Sequence, residues 1–257
     1  MSEILISDFI IVLLIFVRII SAFSAAPIYN HQAIPVPIKV FLAFVISYII
    51  FSAISQTKIQ VEINLVWIAV NVIKEVISGL IIGFTLNMIF YAVSFAGSII
   101  GFDIGLSMSQ VFNPVDGMGS NVIEEIIYFL AILVFFMIDG HHHLIRALVY
   151  SFTLIPLGTY TLNKTVYDTI ITITASVFVI AVKIASPVLV SYFLISIGEG
   201  ILSRIIPQMQ VFFVTYPIKL GLGFLMLASL TPLYVYLIRG YLYDFENRLF
   251  ELIRLMR

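Results

Sequence analysis

The chain has 257 residues, 61% of them hydrophobic and only 11% charged. Its mean hydropathy of +1.15 lies far outside the soluble range, which excludes a soluble globular protein. A net charge of −1 without a basic stripe excludes nucleic acid as a partner, and the absence of cysteine removes disulfide frameworks and thiolate metal sites.

The N-terminus carries small-residue patterns, Ala22-Phe23-Ser24 and Ser24-Ala25-Ala26, that look like signal cleavage sites. The start is acidic, however, with Glu3 and Asp8, and Arg18 interrupts the apolar run. Residues 9–27 therefore read as the first helix of the mature chain. Further apolar helical segments follow at about 38–55, 64–100, 122–138, 144–158, 169–203 and 209–237. Pro27, Pro35 and Pro37, the stretch Lys58 to Glu62, Pro156-Leu-Gly158 and Ile205-Ile-Pro207-Gln208 separate them.

The expected fold is an all-α membrane protein of long helical hairpins. Residues 1–238 form one membrane-embedded domain, and 239–257 an amphipathic, cytoplasmic tail. At a rise of 1.5 Å per residue, Thr169 to Ser203 would reach about 50 Å, against about 30 Å of hydrocarbon. Tilt, a break or packing on protein must absorb the excess, and Pro187 is the expected site of a break or kink. The 101–121 loop has no Lys or Arg, whereas the tail holds Arg239, Arg248, Arg254 and Arg257. If the short 144–158 segment does not cross, six spans place both termini in the cytoplasm; seven would separate them.

The loop Gly105–Val122 is the most informative segment. It is long for a connector between helices and too apolar for disorder. Gly105, Leu106, Met108, Val111, Phe112, the Asn113-Pro114 turn and Met118 suit a surface that seals and re-packs, as unbranched Met does well. These residues are read as a pore plug.

Ionisable residues inside apolar segments are costly in lipid and must face partners, cavities or water. Arg18, Lys74, Glu75, Lys183, Glu199, Arg204 and Lys219 are therefore candidates for a subunit interface. Lys74 and Glu75 are neighbours and cannot share one helix face, whereas Glu199 could reach Arg204 around a frayed turn. Gly79 and Gly83 form a G-x-x-x-G that lets helix backbones approach closely, and they join the same candidate set.

Asp139-Gly-His141-His142-His143 is the one stretch resembling a metal or catalytic site. Three consecutive His cannot all ligate one ion from a regular helix, and no H-e-x-x-H pattern accompanies them. They read as polar residues at a helix start that hydrogen-bond neighbouring helices. There is no G-x-S-x-G elbow and no phosphate-binding glycine loop. Neither catalytic residues, nor a metal, nor a cofactor is expected.

An ordered set of phrases resembles the FliR family of flagellar and type III secretion export-gate proteins. The set comprises Phe16-Val-Arg18 with Ala26-Pro27, Ile34-Pro35-x-Pro-x-Lys39, Gly97-x-x-x-Gly101-Phe-Asp-Ile-Gly105 and Asn113-Pro114. It continues with Gly140-His141, Ser151-Phe152, Ile155-Pro156-x-Gly158, Arg204-x-x-Pro207-Gln208-x-x-Val211-Phe212 and Pro217-x-Lys219. Many relatives carry bulky aromatics where Met108 and Val111 stand here.

The resemblance implies a subunit of a helical, pore-forming export gate in the bacterial inner membrane, at the base of a flagellum or secretion apparatus, the flagellum being the leading reading. It implies FliP-like and FliQ-like membrane partners, an FlhB-like switch protein, unfolded proteins in transit, and a loop matching 105–122 that plugs the lumen. It further implies a FliP-like N-terminal part and a FliQ-like hairpin over about 169–238. A small-solute secondary transporter is the alternative, although the paired discontinuous helices of repeated halves are not seen.

Overall fold

A computed structural model of the chain describes residues 2–27, 34–54, 64–106, 121–161, 163–208 and 211–257. Seven helices are present among them, in the order α1 (Ser2–Ala25), α2 (Val36–Ile54), α3 (Leu65–Ile104), α4 (Val122–Met137), α5 (Gly140–Leu154), α6 (Lys164–Ile205) and α7 (Val211–Leu255). No strand occurs among the described residues. Five of these helices, α1, α2, α3, α6 and α7, are long and apolar enough to cross a membrane; α4 and α5 are shorter.

The ends of the helices follow from local chemistry. Pro37 sits in the first turn of α2, where its missing N–H costs nothing. Asn64 caps α3 by accepting the Val66 amide at 3.0 Å. Asn163 accepts the Val166 amide at the start of α6 and donates its own amide to the Leu255 carbonyl at the end of α7. One side chain thus closes two helix ends.

Helix α1 begins at Ser2 and α6 at Lys164, earlier than the sequence reading places them, and three further differences bear on the candidate residues. First, α5 begins at Gly140, so the His run occupies its first turn, and it ends at Leu154. Second, of the break or kink expected at Pro187, the break is absent: α6 runs on through the proline as one helix of 42 residues. Third, α7 continues to Leu255, so residues beyond 238 extend the same helix. In that extension Phe245, Leu249, Leu252 and Ile253 are buried at helical spacing.

The chain divides into two compact units. The first contains residues 1–88, 139–174 and 243–257. Its core is built from Leu14, Ile15, Ile19, Ala22 and Phe23 of α1, with Leu144, Leu148, Phe245 and Leu252. In this unit α1 packs against α2 and also against α3, at Gly79 and Gly83. A Cβ at Gly79 would overlap the Arg18 carbonyl and the Ser21 hydroxyl; one at Gly83 would overlap the Ala22 carbonyl. The G-x-x-x-G therefore serves a close crossing within the chain.

The second unit contains residues 89–138 and 175–242. Phe90 is buried in it, in edge contact with Tyr128 and Phe135 at centroid separations of 5.9 and 5.7 Å. Ile100, Ile104, Ile127, Ile184 and Val188 are further buried residues of this unit.

Candidate functional site

Within the second unit α3 and α4 flank the loop that sequence reading singled out. Both flanks are tightly specified. Helix α3 ends in a Schellman motif: the Gly105 amide donates to Phe102 O at 3.0 Å and the Leu106 amide to Gly101 O at 3.1 Å. Gly105 has φ +95°, which glycine adopts without strain. Its carbonyl accepts from the Tyr216 hydroxyl of α7 at 3.2 Å. On the other side Asn121 caps α4, accepting the Ile123 amide at 3.0 Å.

Between the two flanks the backbones nearly touch. A Cβ at Gly97 would stand 2.5 Å from the Glu124 Cα, and one at Gly101 would overlap the Asn121 side chain. Asn121-Val-Ile-Glu124 has capping-box spacing. Glu124 nevertheless turns across to α3, where it accepts from the Ser94 and Ser98 hydroxyls, the latter at 2.5 Å. Gly105 and Leu106 are thus the two plug candidates with a described setting. Met108, Val111, Phe112, Asn113, Pro114 and Met118 lie outside the described residues.

A polar cluster lies in the same unit. Lys219 Nζ pairs with Glu199 Oε2 at 2.6 Å, both side chains largely covered. The Tyr192 hydroxyl donates to the Lys219 carbonyl at 2.5 Å, and Asp103 is within electrostatic reach of both residues. Asp103 also lines an open cavity of about 440 Å³ with Leu189, Val190, Tyr192, Phe193 and Ser196. The suggested Glu199–Arg204 contact is absent. The helix stays regular to Ile205, so residues five apart diverge, and α7 supplies Lys219 instead.

In the first unit the charged candidates also meet each other. Arg18 Nε donates to Glu75 Oε2 at 2.5 Å, with neither side chain exposed. The guanidinium further donates to Ser151 Oγ at 3.3 Å and to Ile155 O at 3.2 Å, and lies 4.3 Å from the Phe152 ring centre. Lys74 and Glu75 clasp one residue from both sides: Glu75 Oε1 accepts from the Gly158 amide at 2.8 Å, while Lys74 Nζ donates to the Gly158 carbonyl at 2.9 Å. Gly158 has φ +74°. Lys183 and Arg204 lie on exposed faces of α6.

His143 Nδ1 pairs with Glu246 Oε1 of α7 at 2.7 Å, a bridge between neighbouring helices. Ligand atoms of Asp139, His141 and His142 lie within 4.8 Å of one another.

Sequence reading missed Ser94, Ser98, Asn121, Glu124 and Tyr216. Two signals pointed to them: the four-residue spacing shared by Ser94, Ser98 and Gly97, Gly101, and the Asn-x-x-Glu at the start of α4. Tyr216 left no sequence signal, because its partner is a backbone carbonyl.

Five helices of membrane-spanning length and ion pairs covered inside the fold define an all-helical membrane protein. A family model for bacterial export proteins, family 1, matches residues 9–245, and the chain belongs to this FliR family of flagellar export proteins. It is 32% identical over 220 residues to the flagellar biosynthetic protein FliR of Bacillus subtilis (strain 168), covering 84% of this chain and 83% of that one. The FliR of Escherichia coli (strain K12) is 29% identical over 84% of this chain and 82% of its own. That of Aquifex aeolicus (strain VF5) is 28% identical over 95% of both.

Proposed function

We propose that this chain is a subunit of the inner-membrane export gate of a flagellar type III protein secretion system, and that the 105–122 loop closes the channel through which unfolded substrates leave the cytoplasm. Family membership over residues 9–245 is the observation that carries the gate reading. The build of the loop supports the plug. A seal must be held at its base and be able to re-pack at its tip. The base is anchored by the Schellman turn at Gly105, the Asn121 cap and the Glu124–serine bonds. The intervening sequence is rich in Met and small residues and lacks Lys and Arg.

FliP-like and FliQ-like subunits and an FlhB-like switch protein are the proposed partners. Broad apolar surfaces of α6 and α7 support this, among them Phe193, Leu194, Ile201, Phe213, Leu225 and Tyr236. Lys183 and Arg204 stand on the exposed side of α6, where a cation gains from a protein partner and loses in lipid. Arg18, Glu75, Lys219 and Glu199 have partners within the chain, and so do the glycines at 79 and 83. For these residues the interface role becomes an indirect one, through the shape of the subunit. The chain's part is to conduct and to seal, without bond-making chemistry.

Purification from a strain carrying the whole export operon tests the reading. Co-purification of two other small membrane proteins of the FliP and FliQ types is expected. Isolation of this chain alone, in a detergent that preserves such complexes, would contradict it.

A further inference from the structure

We propose that Asp139, His141 and His142 form a binding site for a divalent transition ion of the zinc class. Sequence spacing argues against three consecutive histidines on one ion, and that argument holds for residues within a regular helix. Asp139 stands outside the helix. It is the N-cap of α5, yet its side chain makes no capping hydrogen bond. With φ 57° and ψ 30° it is the one described non-glycine residue in the left-handed region, a conformation that aspartate tolerates better than most. The first-turn amides of His142 and His143 go to the Asp139 carbonyl, at 2.9 and 3.2 Å. The carboxylate is thereby left to turn toward the histidine rings.

The distances fit an ion better than a hydrogen bond. Asp139 Oδ1 and His142 Nδ1 are 3.4 Å apart, longer than an ordinary N–H···O bond. Two ligands on a tetrahedral ion at about 2.1 Å stand about 3.4 Å apart. The His141 and His142 rings lie side by side, their centres 4.0 Å apart and tilted by 37°. All three ligand atoms fall within 4.8 Å of one another, so small side-chain rotations complete the set. Two imidazoles and one carboxylate suit Zn²⁺, Ni²⁺ or Cu²⁺ more than the hard cations, which prefer oxygen ligands alone. His143 is not part of the set, because its Nδ1 faces Glu246. The Asp139 and His142 side chains are 70% and 58% exposed, which leaves room for water or another ligand in the fourth position.

Calorimetric titration of the detergent-purified protein, freed of any histidine tag, with Zn²⁺ tests the site. One ion per chain is expected. Asp139→Asn and His142→Ala should each weaken binding at least tenfold, while His143→Ala should leave it unchanged. Absence of saturable one-to-one binding at micromolar Zn²⁺, or an affinity indifferent to both substitutions, overturns the proposal. The visible spectrum of Co²⁺ added to the unsubstituted protein decides independently of any variant: intense low-symmetry bands support the site, and the pale spectrum of the hydrated ion refutes it.

Discussion

Arg18 and Glu75 meet at 2.5 Å with neither side chain exposed, and they lie 57 residues apart in the sequence. Each has further partners: Arg18 reaches Ser151 and the Ile155 carbonyl, and Glu75 holds the Gly158 amide. A single ion pair thus joins α1, α3 and the turn after α5. Burying two charges is expensive unless their remaining donors and acceptors are satisfied. Here the additional hydrogen bonds meet that condition.

Removing one member should therefore harm the fold more than removing both. Arg18→Leu or Glu75→Leu leaves an uncompensated buried charge, at about 3–5 kcal/mol. The double variant should recover part of that loss. Thermal unfolding in detergent would show it, and additive destabilisation by the two substitutions would count against the pair.

The α3–α4 crossing predicts a graded effect of two glycine substitutions. Gly97→Ala drives a methyl against the Glu124 backbone, whereas Gly101→Ala meets the Asn121 side chain, which can yield by giving up its cap on the Ile123 amide. Gly97→Ala should cost about 1–3 kcal/mol by overpacking, and Gly101→Ala less. Melting temperatures of the two variants check the order.

Lys219 and Lys183 should separate folding from assembly. Lys219→Leu strands Glu199, so it should lower the stability of the isolated chain, and Glu199→Gln added to it should restore much of the loss. Lys183 is exposed. Lys183→Leu should leave the isolated chain intact and reduce recovery of FliP-like and FliQ-like subunits in pull-downs. Unchanged recovery would remove Lys183 from the interface.

Much of the architecture was legible in the sequence, because apolar runs of membrane-spanning length are a strong signal. Each long helix was anticipated. What periodicity could not supply was pairing. Arg18 and Lys219 were recognised as misfits in lipid, but their partners Glu75 and Glu199 come from other helices. Long-range contacts of that kind leave no local trace. At Pro187 the sequence allowed a break or a kink, and α6 runs on through it without a break. The extent of α7 was missed because its charged end reads as a tail, while Phe245, Leu249 and Leu252 carry the buried stripe onward.

Deletion of residues 106–118 in a strain with the other gate subunits present tests the plug most directly. The deletion removes the Leu106 donor of the Schellman turn but spares Gly97, Gly101, Asn121 and Glu124, the residues at which α3 and α4 meet. Ion and small-solute leakage through resting cells should rise sharply while the complex still assembles. An assembled deletion complex with unaltered conductance would contradict the loop as the seal.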